Sequence, residues 1–241
     1  MKKIVLSSAL LAAFMATAQA DTMKVTPLVT HTELGFIQTN GNTKTTTGNL
    51  DAKAKKSWGK HEGKILLDGQ YSKDSGVETK NKYLIELNYN YNFTDRLSFD
   101  YLLGYKSDKF SSFDYQFYTG PGVKYKAIVS DIQNLSVAGN ILYSSDKYND
   151  TGKTRDYAGY KLSGDYDYKF SKTLKFVQEL SIRGELAHAD NYFAYSKSSI
   201  ETKLSDIFSA GVGYKVDYVN KPTAGKKSTD TTFTFNLIMD Y

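Results

Sequence analysis

Charged side chains recur at every second position along several stretches of the sequence. Between residues 161 and 169, Lys161, Asp165 and Lys169 share one phase, and the other phase is mostly tyrosine and leucine. Successive side chains of a β-strand point to opposite faces, so this pattern collects charges on one face. We predict that such faces line the interior of a barrel, and the candidates are Glu86, Asp100, Lys106, Asp114, Lys124, Lys161, Asp165, Lys169, Glu179, Arg183 and Glu185.

Positive and negative groups alternate among these candidates, and five further residues share the same phase: Asp51, Lys53, Lys55, Asp167 and Lys175. Inside a barrel, such charges either pair into a sealed network or line a narrow, wet pore. The two arrangements are equally compatible with the sequence. The mixture of signs argues against strong selectivity for either anions or cations.

The three histidines are the side chains best suited to proton transfer near neutral pH. A hydrolase or acyl-transfer enzyme would need a histidine beside a serine, with a third group to orient it. His188 precedes Asp190 and His31 precedes Glu33, but neither has a serine partner nearby. We therefore expect no catalytic site.

Metal binding is also not expected, because the chain has no cysteine and its histidines are scattered. Asp165 and Asp167 would share a strand face, but Lys161 and Lys169 flank them, which favours ion pairing over calcium binding. No cofactor is predicted.

The elements that position these residues are predicted to be about twelve antiparallel strands, separated by turn signals such as Asn40-Gly41. Pro121, between two glycines, suggests a bulge or bend in the sixth of them. The predicted strands are about 24–39, 43–57, 62–73, 79–92, 97–106, 113–126, 135–146, 154–170, 174–188, 192–204, 207–219 and 229–241.

The last predicted strand has the clearest alternation. Its apolar residues fall at strict period two and are Phe233, Phe235, Leu237, Met239 and Tyr241. Threonine, asparagine and aspartate fill most of the other phase, with Ile238 as the exception. An amphipathic last strand with a terminal aromatic residue is typical of the strand that closes an outer-membrane barrel, whereas the alternative is the last strand of a soluble sandwich.

Residues 1–20 have the three parts of a secretory signal peptide: Lys2 and Lys3, an apolar run, and the small-residue cleavage site at Ala18-Gln19-Ala20. We therefore expect a signal peptide at 1–20 and one barrel domain at 21–241. Removing the two signal lysines lowers the net charge from +5 to +3. That charge is too small to indicate nucleic acid as a partner.

Composition agrees with an aromatic-rich β protein, since the chain has 20 Tyr and 13 Phe but only 3 Pro. Beyond the signal, no apolar run is long enough for a transmembrane helix. The mean hydropathy of −0.47 excludes a helical membrane protein but not a barrel, in which alternate residues face a polar lumen.

Several stretches resemble the YdiY-like family of salt-induced outer-membrane proteins, whose function is unknown. They are 33–36 with 41–43 and the threonines that follow, 101–110 with Asp114-Tyr115, 120–125, and 218–232. They are distributed along most of the mature chain, from 33 to 232. The resemblance implies an outer-membrane barrel in a Gram-negative bacterium, and it supplies no catalytic or binding residues. Pro121 departs from the small residue expected at that position.

These observations predict an all-β protein, a transmembrane antiparallel up-and-down β-barrel of about twelve strands, in the outer membrane of a Gram-negative bacterium. The first functional hypothesis is passive passage of small polar solutes or ions through a narrow lumen. The alternatives are a closed structural barrel for envelope stress and, third, a lipid-modifying enzyme. The expected partners are outer-membrane lipid and the barrel-assembly machinery, which would recognise the C-terminal strand.

Overall fold

The computed structural model describes residues 26–38 and 45–241 and consists of β-strands joined by turns. The strands are β1 (Val29–Gln38), β2 (Thr45–Trp58), β3 (His61–Asp74), β4 (Val77–Asn92), β5 (Leu97–Asp108), β6 (Phe113–Val129), β7 (Gln133–Tyr148), β8 (Thr154–Lys169), β9 (Leu174–Glu185), β10 (Tyr192–Lys203), β11 (Phe208–Val219) and β12 (Thr229–Asp240). The predicted signal peptide, 1–20, and the predicted turn at Asn40-Gly41 lie outside the described residues.

The twelve described strands form one closed antiparallel barrel, in which each strand pairs with its neighbours in sequence and β12 pairs with β1. The closing ladder runs from His31 opposite Asp240 to Leu34 opposite Leu237. Thr30 and Tyr241 extend this ladder by two reciprocal backbone hydrogen bonds: the Thr30 N–H donates to the Tyr241 carbonyl at 2.6 Å, and the Tyr241 N–H donates to the Thr30 carbonyl at 3.0 Å. The prediction that the last strand closes the barrel is confirmed.

Alternation along β12 separates two environments. Phe233, Phe235, Leu237 and Met239 point outward and are 42–61% exposed, whereas Thr234 and Asn236 point inward and are buried. Ile238, the exception in the sequence pattern, points inward and is fully buried. Other strands follow the same rule, so the outer surface is apolar and the interior is largely polar, as in transmembrane barrels. None of the described residues belongs to a helix long and apolar enough to cross a membrane.

Successive turns lie at alternate ends of the barrel. The end of the barrel that holds the described start of β1 and the end of β12, called here the terminal end, also holds the turns 59–60, 93–96, 130–132, 170–173 and 204–207. The opposite end, called the loop end, holds the turns 75–76, 109–112, 149–153 and 186–191 and the connection 220–228. At 75–76, both Ser75 and Gly76 have positive φ, which matches the twist of a tight hairpin.

The sequence placed most strand ends within a few residues of their positions in the structure, with two corrections that affect histidines. β9 ends at Glu185, so His188 lies in a connection and not at the end of a strand. His61 is the first residue of β3 and not part of a turn.

The sixth strand departs from simple alternation. Alternation in the sequence predicts that Phe113 shares a face with Tyr115, and this prediction is wrong, because Phe113 points into the barrel and is 3% exposed. The reason is a register shift between Phe113 and Tyr115 against β7, which reverses the facing of the residue before it. The ladder keeps one register on both sides of Pro121, so the bulges lie near the ends of β6 and not at the proline.

Part of the interior is filled by apolar side chains. Leu102, Tyr118 and Leu142 form a buried cluster, and Leu84 packs against it. Gly104 makes room for the Tyr118 ring, because a Cβ atom at Gly104 would lie 2.1 Å from Tyr118 Cε2. Leu84, Leu102 and Tyr118 also line the open space inside the barrel.

Candidate functional site: a lumen lined by paired charges

A cavity of about 370 Å³ lies inside the barrel. Phe110, Ser112 and Lys226 line it at the loop end, and Asp100 and Lys124 line it toward the terminal end. It therefore extends through much of the height of the barrel, and polar and charged side chains from most of the strands surround it.

The predicted lumen residues divide into two groups. Those that line the cavity are Glu86, Asp100, Lys106, Lys124, Lys161, Asp165, Glu179 and Arg183. The others, Asp114, Lys169 and Glu185, lie outside its lining. Asp114 is half exposed and its carboxylate lies 2.8 Å from Lys147 Nζ, and Lys169 is exposed at the end of β8. Glu185 is buried and binds Arg155 at 2.8 Å and Asn191 at 2.9 Å.

Two lysines outside the predicted lumen set are among the most deeply buried charges. Lys197 is 1% exposed and its ammonium contacts Glu33 and, at 2.7 Å, Asp51. Lys215 is 2% exposed and contacts Asp51 at 3.5 Å as well as Asp68. The signal was present in the sequence, because Lys215 alternates with outward apolar residues of β11. This network fills the interior beside β1, β2, β10 and β11.

A second group of ion pairs borders the cavity. Asp217 accepts hydrogen bonds from Lys82 at 2.5 Å and from Lys106 at 2.9 Å. Glu86 accepts hydrogen bonds from Lys161 and from the hydroxyl of Tyr118. The ammonium groups of Lys82 and Lys106 thus share the Asp217 carboxylate. The Lys161 ammonium and the Tyr118 hydroxyl share the Glu86 carboxylate. Over the whole lining of the cavity, nine acidic and nine basic side chains offset each other.

Arg183 is held between aromatic rings on the inner wall. Its guanidinium lies 4.7 Å from the centroid of the Tyr118 ring and 4.5 Å from that of the Phe193 ring. It donates a hydrogen bond to the hydroxyl of Tyr157 at 3.0 Å and lies 3.6 Å from Asp146. Ring faces attract cations, so this packing fixes the guanidinium in position.

Asp100 is held by amide groups. Its carboxylate accepts hydrogen bonds from Asn90 at 2.6 Å, from Asn140 at 2.7 Å and from Asn88 at 3.3 Å. Asp100 is 2% exposed, and a buried carboxylate is tolerated when such donors satisfy it. The three asparagines come from β4 and β7, so this contact joins β5 to strands on either side.

One cluster has donor atoms suited to a metal. Atoms of His31, Glu33 and Glu201 lie within 4.8 Å of one another at the terminal end. The groups are already engaged: His31 lies 2.6 Å from Asp240 and 3.1 Å from Glu33, whose other contacts include Lys197. Glu201 lies 2.9 Å from Lys175. The arrangement is that of an ion-pair network.

The other two histidines also contact specific side chains. His61 shares a hydrogen bond of 2.7 Å with the hydroxyl of Tyr89 and stacks on Trp58. His188 lies 3.8 Å from Glu185. Nucleophilic catalysis needs a histidine beside a nucleophile, and these contacts are with a phenol, an indole and a carboxylate.

Comparison with known families gives a match over most of the chain. The model of a family described as "Protein of unknown function, DUF481" matches residues 32–241. The chain belongs to the DUF481 family. No curated protein matches it.

Solved structures similar to this DUF481 protein are barrels of the outer membrane. The NanC porin matches with a TM-score of 0.52 and 11% identity, over 88% of this chain and 98% of the porin. The COG4313 outer-membrane channel of Pseudomonas putida F1 matches with a TM-score of 0.49 and 10% identity, over 92% and 96% of the two chains. The KdgM porin has a TM-score of 0.42 and 16% identity, over 89% and 98%. At these identities the likeness concerns the fold alone.

Proposed function

We propose that this DUF481 protein is an outer-membrane barrel through which small polar solutes or ions pass passively. The observation that carries this proposal is the cavity of about 370 Å³, which is bordered largely by polar and charged side chains and lies inside a closed barrel. A barrel whose outer surface is apolar and whose interior is polar suits a membrane that it crosses as a channel.

The proposal includes the route of the protein to the membrane. Residues 1–20 would direct export and be removed, and 21–241 would insert into the outer membrane of a Gram-negative bacterium. The barrel-assembly machinery would recognise β12, which pairs with β1 to close the barrel. The outward residues of β12 are exposed, and they are Phe233, Phe235, Leu237 and Met239. Outer-membrane lipid would cover this face. These roles require no enzyme activity.

A second candidate function is a closed structural barrel that stabilises the envelope. The specific observation in its favour is the interior network around Lys197 and Lys215, whose side chains are 1% and 2% exposed. If that network and its neighbours exclude water along the whole axis, solutes do not cross. The two candidates differ in one measurable property, the passage of ions.

Single-channel conductance of refolded residues 21–241 in a planar bilayer tests the proposal. Discrete, reproducible current steps are expected. The barrel is first shown to be folded by its altered gel mobility before and after heating. A folded barrel that gives no steps under any voltage or salt concentration would overturn the channel function and support the structural one.

A further inference from the structure

The connection 220–228, here called the strap, crosses the loop end of the barrel. The backbone N–H of Thr223 donates a hydrogen bond to Ser112 Oγ at 2.9 Å, and Lys226 Nζ donates one to the carbonyl of Phe110 at 2.7 Å. Ser112 and Phe110 belong to the turn between β5 and β6. In the ring of twelve described strands, six strands separate this turn from the strap in either direction. The strap therefore reaches the diametrically opposite wall.

The strap lies directly over the cavity. Gly225, Lys226 and Ser228 line the cavity together with Phe110 and Ser112. Ser112 is 2% exposed, so its contact with Thr223 is shielded from solvent, whereas Phe110 and Lys226 remain exposed. Gly225 has a φ of +80°, a backbone conformation that allows the strap to turn back toward β12.

The two attachments of the strap differ. Near its start it is held to the adjacent connection by Asn220 Nδ2, which donates to the carbonyl of Asp190 at 2.9 Å, and by an ion pair of Lys221 with the Asp190 side chain. At the far side it is held by the hydrogen bonds to Ser112 and Phe110. The far attachment is the one whose separation would uncover the mouth.

We propose that the strap determines which solutes enter the lumen, because its attachment to Ser112 and Phe110 covers the mouth. With the attachment made, only small solutes pass beside the strap. With the attachment broken, larger solutes reach the cavity. This inference rests on the proposed channel function and assigns its size limit to the strap. The lining of the cavity has equal numbers of acidic and basic side chains, so size and not charge is the property that the strap would select.

The absence of cysteine from the chain allows a direct test. Thr223 Oγ1 and Ser112 Oγ lie 3.3 Å apart, so cysteines at both positions would place their sulfur atoms close enough for a disulfide after a small adjustment. The double variant Thr223→Cys/Ser112→Cys is folded into lipid vesicles. Uptake of neutral sugars and polyethylene glycols of graded size is then measured, together with conductance, before and after reduction.

Oxidation is expected to cause a several-fold loss in the uptake of the larger solutes, and reduction is expected to restore it. The single variants Thr223→Cys and Ser112→Cys, treated in the same way, should show no response to oxidation. Ser112→Ala removes the acceptor of the Thr223 N–H hydrogen bond, so it should raise the uptake of larger solutes. A variant that lacks residues 221–226 should raise it further.

The outcomes separate the two proposals. Uptake that is present but identical in the oxidised, reduced, Ser112→Ala and shortened-strap proteins would overturn the role of the strap and leave the channel intact. Absence of uptake and conductance in all of these folded proteins, including the shortened one, would overturn the channel function itself. Conductance that appears only in the shortened protein would overturn the proposed passage of small solutes beside the attached strap.

Discussion

Lys197 lies inside the barrel, where its ammonium contacts the carboxylates of Glu33 and Asp51. All three side chains are at most 5% exposed. A buried ion pair contributes little over a well-packed apolar alternative, but removing one partner leaves an uncompensated charge. Lys197 is therefore required for stability, because it compensates the buried negative charges of Glu33 and Asp51.

Substituting Lys197→Met should lower the free energy of unfolding by about 3–5 kcal/mol, since two carboxylates lose their shared cation in a dry site. Urea unfolding of the folded barrel in vesicles measures the change. The matched control is Lys203→Met, because Lys203 pairs with the exposed Asp206 and its loss should have no measurable effect. Equal effects of the two substitutions would contradict the importance of the buried network.

The pH dependence of the ion pair between Lys221 and Asp190, which holds the start of the strap, can also be predicted. A hydrogen bond from the Lys221 ammonium holds the pKa of the Asp190 carboxyl below its ordinary value, and the charge of nearby His188 acts in the same direction. Because the folded-state pKa is lowered, this ion pair is complete above the ordinary pKa of aspartate and is lost as pH falls through the lowered value. NMR titration should show a higher Asp190 pKa in Lys221→Gln, and an unchanged pKa would disprove the contact.

Among the elements, β5 and β6 show how a small residue makes room for a large one. A Cβ atom at Gly104 would lie 2.1 Å from the Tyr118 ring, whose hydroxyl donates a hydrogen bond to Glu86. Gly104→Ala should therefore destabilise the barrel by about 1–3 kcal/mol, because the ring must move away from its partner. Thermal or urea unfolding measures this.

Gly69→Ala is the control for this prediction, since a Cβ atom at Gly69 meets no other atom within 4 Å. That substitution should be neutral or slightly stabilising, because it reduces the freedom of the unfolded chain. A loss of stability as large as that of Gly104→Ala would show that alanine is disfavoured in these strands for reasons other than the Tyr118 contact.

The closing ladder between β1 and β12 is the element on which barrel formation depends. Leu237 lies opposite Leu34 and is 52% exposed on the outer face. Leu237→Lys should be destabilising if this face contacts the hydrocarbon of the membrane, by up to about 2–4 kcal/mol at the depth of the bilayer midplane and by less toward the interface. Leu237→Ala should cost much less, which separates the charge from the lost volume. Folding titrations into vesicles measure both, and similar costs would place this face in water.

At the scale of the whole molecule, the lumen charges predict weak ion selectivity. Nine acidic and nine basic side chains line the cavity, so neither sign dominates its wall. The reversal potential of the channel in a KCl gradient should be close to zero. Lys106→Glu should shift it toward cation selectivity, whereas Lys203→Glu, at the exposed terminal end of β10, should leave it nearly unchanged. Strong selectivity in the unmodified protein would contradict this prediction.

Much of the architecture was predictable because strand alternation is a local property. Phe233, Phe235 and Leu237 marked the outward face of β12 in the sequence, and the structure places them there. Phe113 was predicted wrongly, because a bulge changes the facing of one residue without any change in residue type. Of the candidate lumen residues, those near strand ends, such as Asp114 and Lys169, lie outside the cavity lining, because alternation does not specify height along the barrel.

By itself, the sequence predicted about twelve strands, the closing strand and the facing of most residues along the strands, since these follow from period-two alternation and turn residues. Only the tertiary structure decided the partners. Lys197 meets Glu33 and Asp51, which lie 164 and 146 residues away, and Thr223 meets Ser112 across the mouth. Closure and strand register set these contacts, and no short stretch of sequence encodes which inward side chains face each other across a closed ring.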